Sequence, residues 1–265
     1  MAGSRSSSAI AGIDVGTYGS KGVLVGSGGE VIATATRSHG LDTPRPGWAE
    51  QDADAIWWAD VVAIARDLVA AATQTGVAIE GLGVSAIGPT CLPVDRDGRP
   101  LRPSLLYGID ARAAEEIVEV EQELGAEQVL ATCGSPLTSQ AIGPKVRWLQ
   151  RHEPHIWERT ARVLTASSYL VHRLTGRYVV DSYSAAAQVP FYDLEAGTWS
   201  AKLVEPLLPM AMLPQIVPST QVVGTIHRAA AEATGEASPT NPIAIWSLSA
   251  SRIRIAWNSG FGGSV

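Results

Sequence analysis

The sequence predicts an α/β fold, and three observations predict it. Strand-length apolar runs alternate with helical stretches over residues 9–235, the first three runs read as an antiparallel meander, and the long helical stretches carry stop or cap residues at their ends. A chain of 265 residues buries a sizeable core, and 46% hydrophobic with 17% charged residues is a globular composition. The net charge of -6 provides no broad basic surface, so neither nucleic acid nor an anionic membrane is an expected partner.

The elements follow in order. Residues 9–14 form a short apolar run, and a second run at 22–25 leads into the turn Ser27-Gly28-Gly29-Glu30 and a third, alternating run at 31–37. Gly16 and Gly19 hold the first turn tight. Trp57, Val61, Ile64 and Leu68 then fall at helical spacing, with Asp52 or Asp54 as cap and Gly76 at the exit, which predicts a helix over 53–74. Residues 79–87 read as a buried strand, 93–101 as a hairpin turning at Asp95-Arg96-Asp97-Gly98, and 111–124 as a helix. A helix from Pro144 to Arg151, a strand at 162–164 and a helix at 167–174 stopped by Gly176 continue the alternation. Residues 179–190 read as irregular or extended, 202–208 as helical, and 222–225 as a segment before a short helix at 229–234.

After Gly235 the character changes. Residues 237–265 hold no Asp or Glu, carry Trp246 and Trp257 and show weak periodicity, so the expected domain is 9–235 and the tail 236–265 is not expected to pack against it. Cys91 and Cys133 lack CxxC spacing and read as buried thiols. The start is too short for a secretory leader or a membrane span, so the expected location is cytoplasmic.

Chemistry concentrates at Gly12-Ile13-Asp14-Val15-Gly16-Thr17-Tyr18-Gly19-Ser20-Lys21. A carboxylate at a strand end, a glycine-rich turn, a hydroxyl and a lysine can cradle phosphate: N–H groups and Thr17 donate to its oxygens, Lys21 adds a charge, and Asp14 holds Mg²⁺ through water. A plain glycine-rich turn with a surface lysine accounts for the segment equally well. No GxxxxGK[ST] occurs, and Gly81-Leu82-Gly83-Val84-Ser85-Ala86 is excluded as a dinucleotide motif because Gly88-Pro89 follows where a helix would have to start.

The Asp14–Lys21 turn resembles the first phosphate loop of the sugar kinase, heat-shock chaperone and actin superfamily, and within it the FGGY carbohydrate kinases fit best. Pro46-Gly47-Trp48-Ala49-Glu50-Gln51-Asp52 with Trp57-Trp58 is similar to that family's entry into its first long helix. Leu106-Tyr107-Gly108-Ile109-Asp110-Ala111-Arg112 resembles its aromatic, aspartate and arginine segment, with Tyr107 where tryptophan is commoner. Further likeness lies in Pro144-Lys145-Val146-Arg147-Trp148 and in Ser168-Tyr169-Leu170 through Arg173-Leu174-Thr175-Gly176.

The resemblance implies a ribonuclease-H-like, actin-type ATPase domain with a mixed sheet and flanking helices. It implies ATP and Mg²⁺ at Asp14, Gly16, Thr17, Gly19 and Lys21, and a sugar or polyol near Gly88, Thr90, Tyr107, Asp110 and Gln140. For Asp110 a helix N-cap, and for Gly88 and Thr90 a structural turn, are open alternatives. Family members take their general-base aspartate and adenosine site from a second domain. With no carboxylate in 237–265, the expectation is a truncated kinase of weak or no turnover alone, the alternative being a non-catalytic sugar-binding remnant or pseudokinase fragment. The expected partners are the sugar or polyol and either a second copy in a homodimer or a polypeptide supplying the second domain. Lys145 and Trp148 read as a packed helix face with a local cation and ring contact, the acidic run at 115–123 as a solvated face, and the five histidines carry no assigned role.

Overall fold

A computed structural model describes residues 8–235 and 244–247. Strands β1 (Ser8–Val15), β2 (Gly19–Gly26) and β3 (Val31–Ser38) form the expected antiparallel meander. Asp52 begins the long helix by accepting from the Asp54 and Ala55 N–H groups. The first turn, Ala53–Trp58, is wound as a π-helix and continues into α1 (Ala59–Thr75), which ends at Gly76 with φ 69°. Then β4 (Ala78–Ala86) pairs parallel to β1, which a crossover helix allows.

Alternation decides what each strand buries. Ala9, Ala11, Ile13 and Val15 of β1 are buried, as are Val61, Ile64, Leu68 and Ala72 of α1, which packs on β1, β2 and β3. A Cβ at Gly22 would sit 2.2 Å from Ile64 Cγ2, so the glycine lets sheet and helix meet.

A second apolar cluster gathers Cys91, Leu105, Val120, Val129, Ile142, Val146, Leu149 and Phe191. It is built largely from α2 (Ala114–Leu124), α3 (Ala126–Cys133) and α4 (Ile142–His152). The chain returns to the sheet through Arg162–Leu164 and α5 (Ala166–Thr175), where Tyr169 is fully buried. β5 (Val222–Thr225), α6 (Arg228–Thr234) and β6 (Ala244–Ser247) complete the described chain, and α6 touches both α1 and α5. The sheet order β5-β6-β4-β1-β2-β3, with β6 parallel to β4 and antiparallel to β5, is a ribonuclease-H-like mixed sheet.

The structure corrects the sequence reading in several places. A strand lies beyond Gly235: β6 joins the sheet and buries Ile245, whereas the rest of 236–265, Trp257 included, lies outside the described residues. Residues 179–190 contain a short strand, Val179–Asp181, and a helical turn, Ser182–Ala186, capped by Asp181 through the Ser184 N–H at 2.9 Å. The hairpin at 93–101 does form, with the Leu101 N–H donating to the Pro93 carbonyl at 3.0 Å and Val94 bridging Pro100, and Leu92–Val94 in addition pairs with Arg162–Leu164. The helix expected at 202–208 is only Ala201–Val204, and α3 was not foreseen. The acidic run is not uniformly solvated: Glu116 is buried and meets His152 at 3.1 Å. No helix among the described residues is long and apolar enough to cross a membrane.

Candidate active site

A cleft of about 460 Å³ opens at the carboxyl ends of β1 and β4. Ligands collect at this position in open α/β sheets because the strands end there and the following turns present backbone groups. The cleft brings together Asp14, Gly16, Thr17, Gly88, Tyr107 and Gln140 from four separate segments.

The first turn is closed by the Gly16 N–H donating to the Gly19 carbonyl at 3.0 Å. A Cβ at Gly19 would lie 2.8 Å from the Arg37 carbonyl, so β3 admits only glycine there without shifting. Asp14 sits opposite Lys21 of β2 and Ser85 of β4 in the sheet register, and the Ser85 hydroxyl donates to its Oδ1. That bond orients a carboxylate at the cleft wall, and an oriented carboxylate is a hard oxygen donor suited to Mg²⁺. The Thr17 Oγ1 and Tyr107 hydroxyl lie 3.1 Å apart, tying the glycine turn to the 107–110 segment.

Four expected site residues are not at the cleft wall. Gly19 closes the turn, and Lys21 projects from β2 as an exposed residue. Thr90 is buried and accepts from the Ala166 N–H at 2.9 Å, fixing the start of α5. Asp110 is buried, and its Oδ2 accepts from the Ala49 N–H and Arg112 Nη2, each at 2.7 Å. It is no helix cap either, since α2 begins at Ala114. Thr165, Ser167 and Ser184 also line the cleft, and the sequence reading missed them. Short polar side chains at a helix start look like caps until the fold aims them, and Thr165 is such a cap, accepting from the Ser168 N–H.

Behind the cleft lies a charged cluster. Trp148 takes its cations from Arg112 and Arg102, with guanidinium carbons 5.0 and 5.7 Å from the ring, while Lys145 donates from Nζ to the Ser139 carbonyl. This corrects the expected contact between Lys145 and Trp148. Burial pushes the Lys145 ammonium down to about 8, with the nearby Asp110 charge opposing the shift. Burial pushes the Cys91 thiol up to about 12 and Cys133 up to about 11, which keeps both unreactive near neutrality.

The Lys145 shift has a testable sign. The unfolded chain holds the Lys145 proton up to its ordinary value of 10.5, while the folded chain releases it near 8, so unfolding takes up a proton between those values. Wild-type stability therefore rises relative to Lys145→Met from about pH 8 to 10.5, by as much as about 3 kcal/mol. Urea unfolding of both proteins at pH 7 and above pH 9.5 checks this, and a pH-independent difference would contradict it.

Comparison with known proteins gives the class and then the family. The fold matches the xylulose kinase from Rhodospirillum rubrum with a TM-score of 0.84 and 32% identity, covering 91% of this chain and 48% of that one. It matches the gluconate kinase from Lactobacillus acidophilus at 0.82 and 26% identity, covering 92% and 48%. The domain therefore has the actin-like ATPase fold of sugar kinases.

In sequence the chain is 30% identical over 229 residues to the xylulose kinase of Escherichia coli strain K12, covering 86% of this chain and 46% of the relative. It is also 30% identical over 228 residues to a glycerol kinase of Nocardia farcinica, covering 82% and 44%. Residues 9–246 match the model for the amino-terminal domain of the FGGY family of carbohydrate kinases, and the chain belongs to that family. It spans about half the length of these relatives.

Proposed function

We propose that the protein phosphorylates a hydroxyl of a sugar or polyol at the expense of ATP and Mg²⁺, this chain forming the amino-terminal wall of the catalytic cleft. The observation that supports the reading is the single cleft in which Asp14, Gly16 and Thr17 face Tyr107 and Gln140. Phosphoryl transfer needs positioning and charge stabilisation more than covalent help from the protein, and these residues supply both.

In this reading Asp14 holds the metal's water shell, the N–H groups of Thr17 and Tyr18 and the Thr17 hydroxyl donate to phosphate oxygens, and Lys21 adds positive potential from β2. Bound Mg·ATP supplies the phosphoryl group and a cation that offsets its charge. The Tyr107 ring packs on C–H faces of the substrate and the Gln140 amide pairs with hydroxyls, with Gly88 leaving room between them. A Cβ built at Gly88 meets nothing within 4 Å, so a larger residue there would enter that space. Thr90 and Asp110 act behind the wall. The partner we propose is the small-molecule sugar or polyol, and the setting is the cytoplasm, where ATP is abundant.

A coupled ADP-release assay over xylulose, glycerol, gluconate and related polyols tests the reading. Sugar-dependent ADP production is expected. ADP release that ignores the sugar, or none with any of them, counts against it.

A further inference from the structure

His39, just past β3, carries no metal-ligand spacing in the sequence, yet the fold places it directly against the glycine turn. Its Nε2 lies 3.0 Å from the Gly16 carbonyl oxygen and its Nδ1 2.8 Å from Asp60 Oδ2. The same Asp60 oxygen accepts from the fully buried Ser20 hydroxyl at 2.7 Å. The His39 side chain is 7% exposed and that of Asp60 15%, so neither contact is a loose surface pairing. An acceptor faces each ring nitrogen, and Nε2 holds the Gly16 carbonyl when it carries the ring hydrogen.

Gln51 does the same one peptide further on. Its Nε2 donates to the Thr17 carbonyl at 2.9 Å and to the Gly40 carbonyl at 3.0 Å, while its Oε1 accepts from the buried Trp57 indole N–H at 2.9 Å. That relay gives a physical reason for a glutamine and a tryptophan six residues apart before α1.

In a planar trans peptide the C=O and N–H point opposite ways. The described cis bonds are Gly88–Pro89 and Val189–Pro190, so the peptides after Gly16 and Thr17 are trans. With both carbonyls pulled back by His39 and Gln51, the N–H groups of Thr17 and Tyr18 are turned the other way. Thr17 borders the cleft and His39 does not.

We propose that His39 and Gln51 are positioning residues for the nucleotide: they pin the Gly16 and Thr17 carbonyls so that the turn presents N–H donors to an anionic phosphate. The inference rests on the kinase reading above. Neither residue touches the ligand, so the test must separate orientation from folding.

Calorimetry with Mg·ATP on the wild type, His39→Leu and His39→Gln does so, with urea unfolding to confirm folding. His39→Leu is expected to bind at least about tenfold more weakly, as for a lost hydrogen bond to a charged group, and His39→Gln, which keeps one donor, falls between. Unchanged affinity in folded His39→Leu overturns the proposal while leaving the kinase reading intact. A wild type that does not bind Mg·ATP overturns both. Should His39→Leu fail to fold, nitrogen NMR of the wild-type ring decides: a hydrogen on Nε2 supports the proposal, and a bare Nε2 overturns it.

Discussion

Arg112→Ala is expected to destabilise the protein by about 3–5 kcal/mol, a large share of the stability of an ordinary domain. The Arg112 side chain is fully buried between Asp110 at 2.7 Å and Glu50 at 2.6 Å, and its guanidinium carbon lies 3.9 Å from the Trp48 ring centroid. The Glu50 contact is an ion pair without an aligned hydrogen bond, since Arg112 Nη1 donates to no acceptor. Arg102 also meets Glu50, so removing Arg112 leaves Asp110 as the less compensated charge. A buried carboxylate that loses its cation keeps the full desolvation cost, which is why truncation here outweighs loss of an exposed pair such as Arg37 and Asp67, worth at most about 1 kcal/mol. Urea unfolding measures the difference. A loss below about 1 kcal/mol would mean that Asp110 does not depend on Arg112 for its compensation.

Asp14→Asn is expected to lower kcat/KM by about 10²–10³-fold while leaving the fold intact. The residue is only partly buried at the cleft wall, and an asparagine oxygen still accepts from Ser85, so stability has little reason to change. What disappears is the negative charge that attracts a divalent cation. ADP release by the variant beside its circular dichroism reads both quantities. A folded variant within threefold of the wild type would remove Asp14 from the metal site.

The parts of the fold that the sequence disclosed are those governed by local periodicity. Alternation gave β1 to β3, and Asp52 and Gly76 bracket the long helix because capping is a property of a few neighbouring residues. The glycine turn with Asp14 and Thr17 was legible for the same reason.

What escaped depends on contacts distant in sequence. The four residues of β6 are strand because β4 and β5 flank them, and a strand paired on both sides has no need of the carboxylates whose absence argued against packing. Asp110 resembles a helix cap until Ala49 and Arg112 are seen to occupy it. His39 and Ser85 are single polar residues whose roles appear only when neighbouring strands bring them to Gly16 and Asp14.

The central claim, that the first turn grips nucleotide phosphate, is tested most directly by amide-resolved NMR during a Mg·ATP titration. The account predicts that the Thr17 and Tyr18 amide signals move first and saturate together, and that removing Mg²⁺ with a chelator weakens the response. Saturable shifts confined to other parts of the chain, or none at that turn, would contradict it.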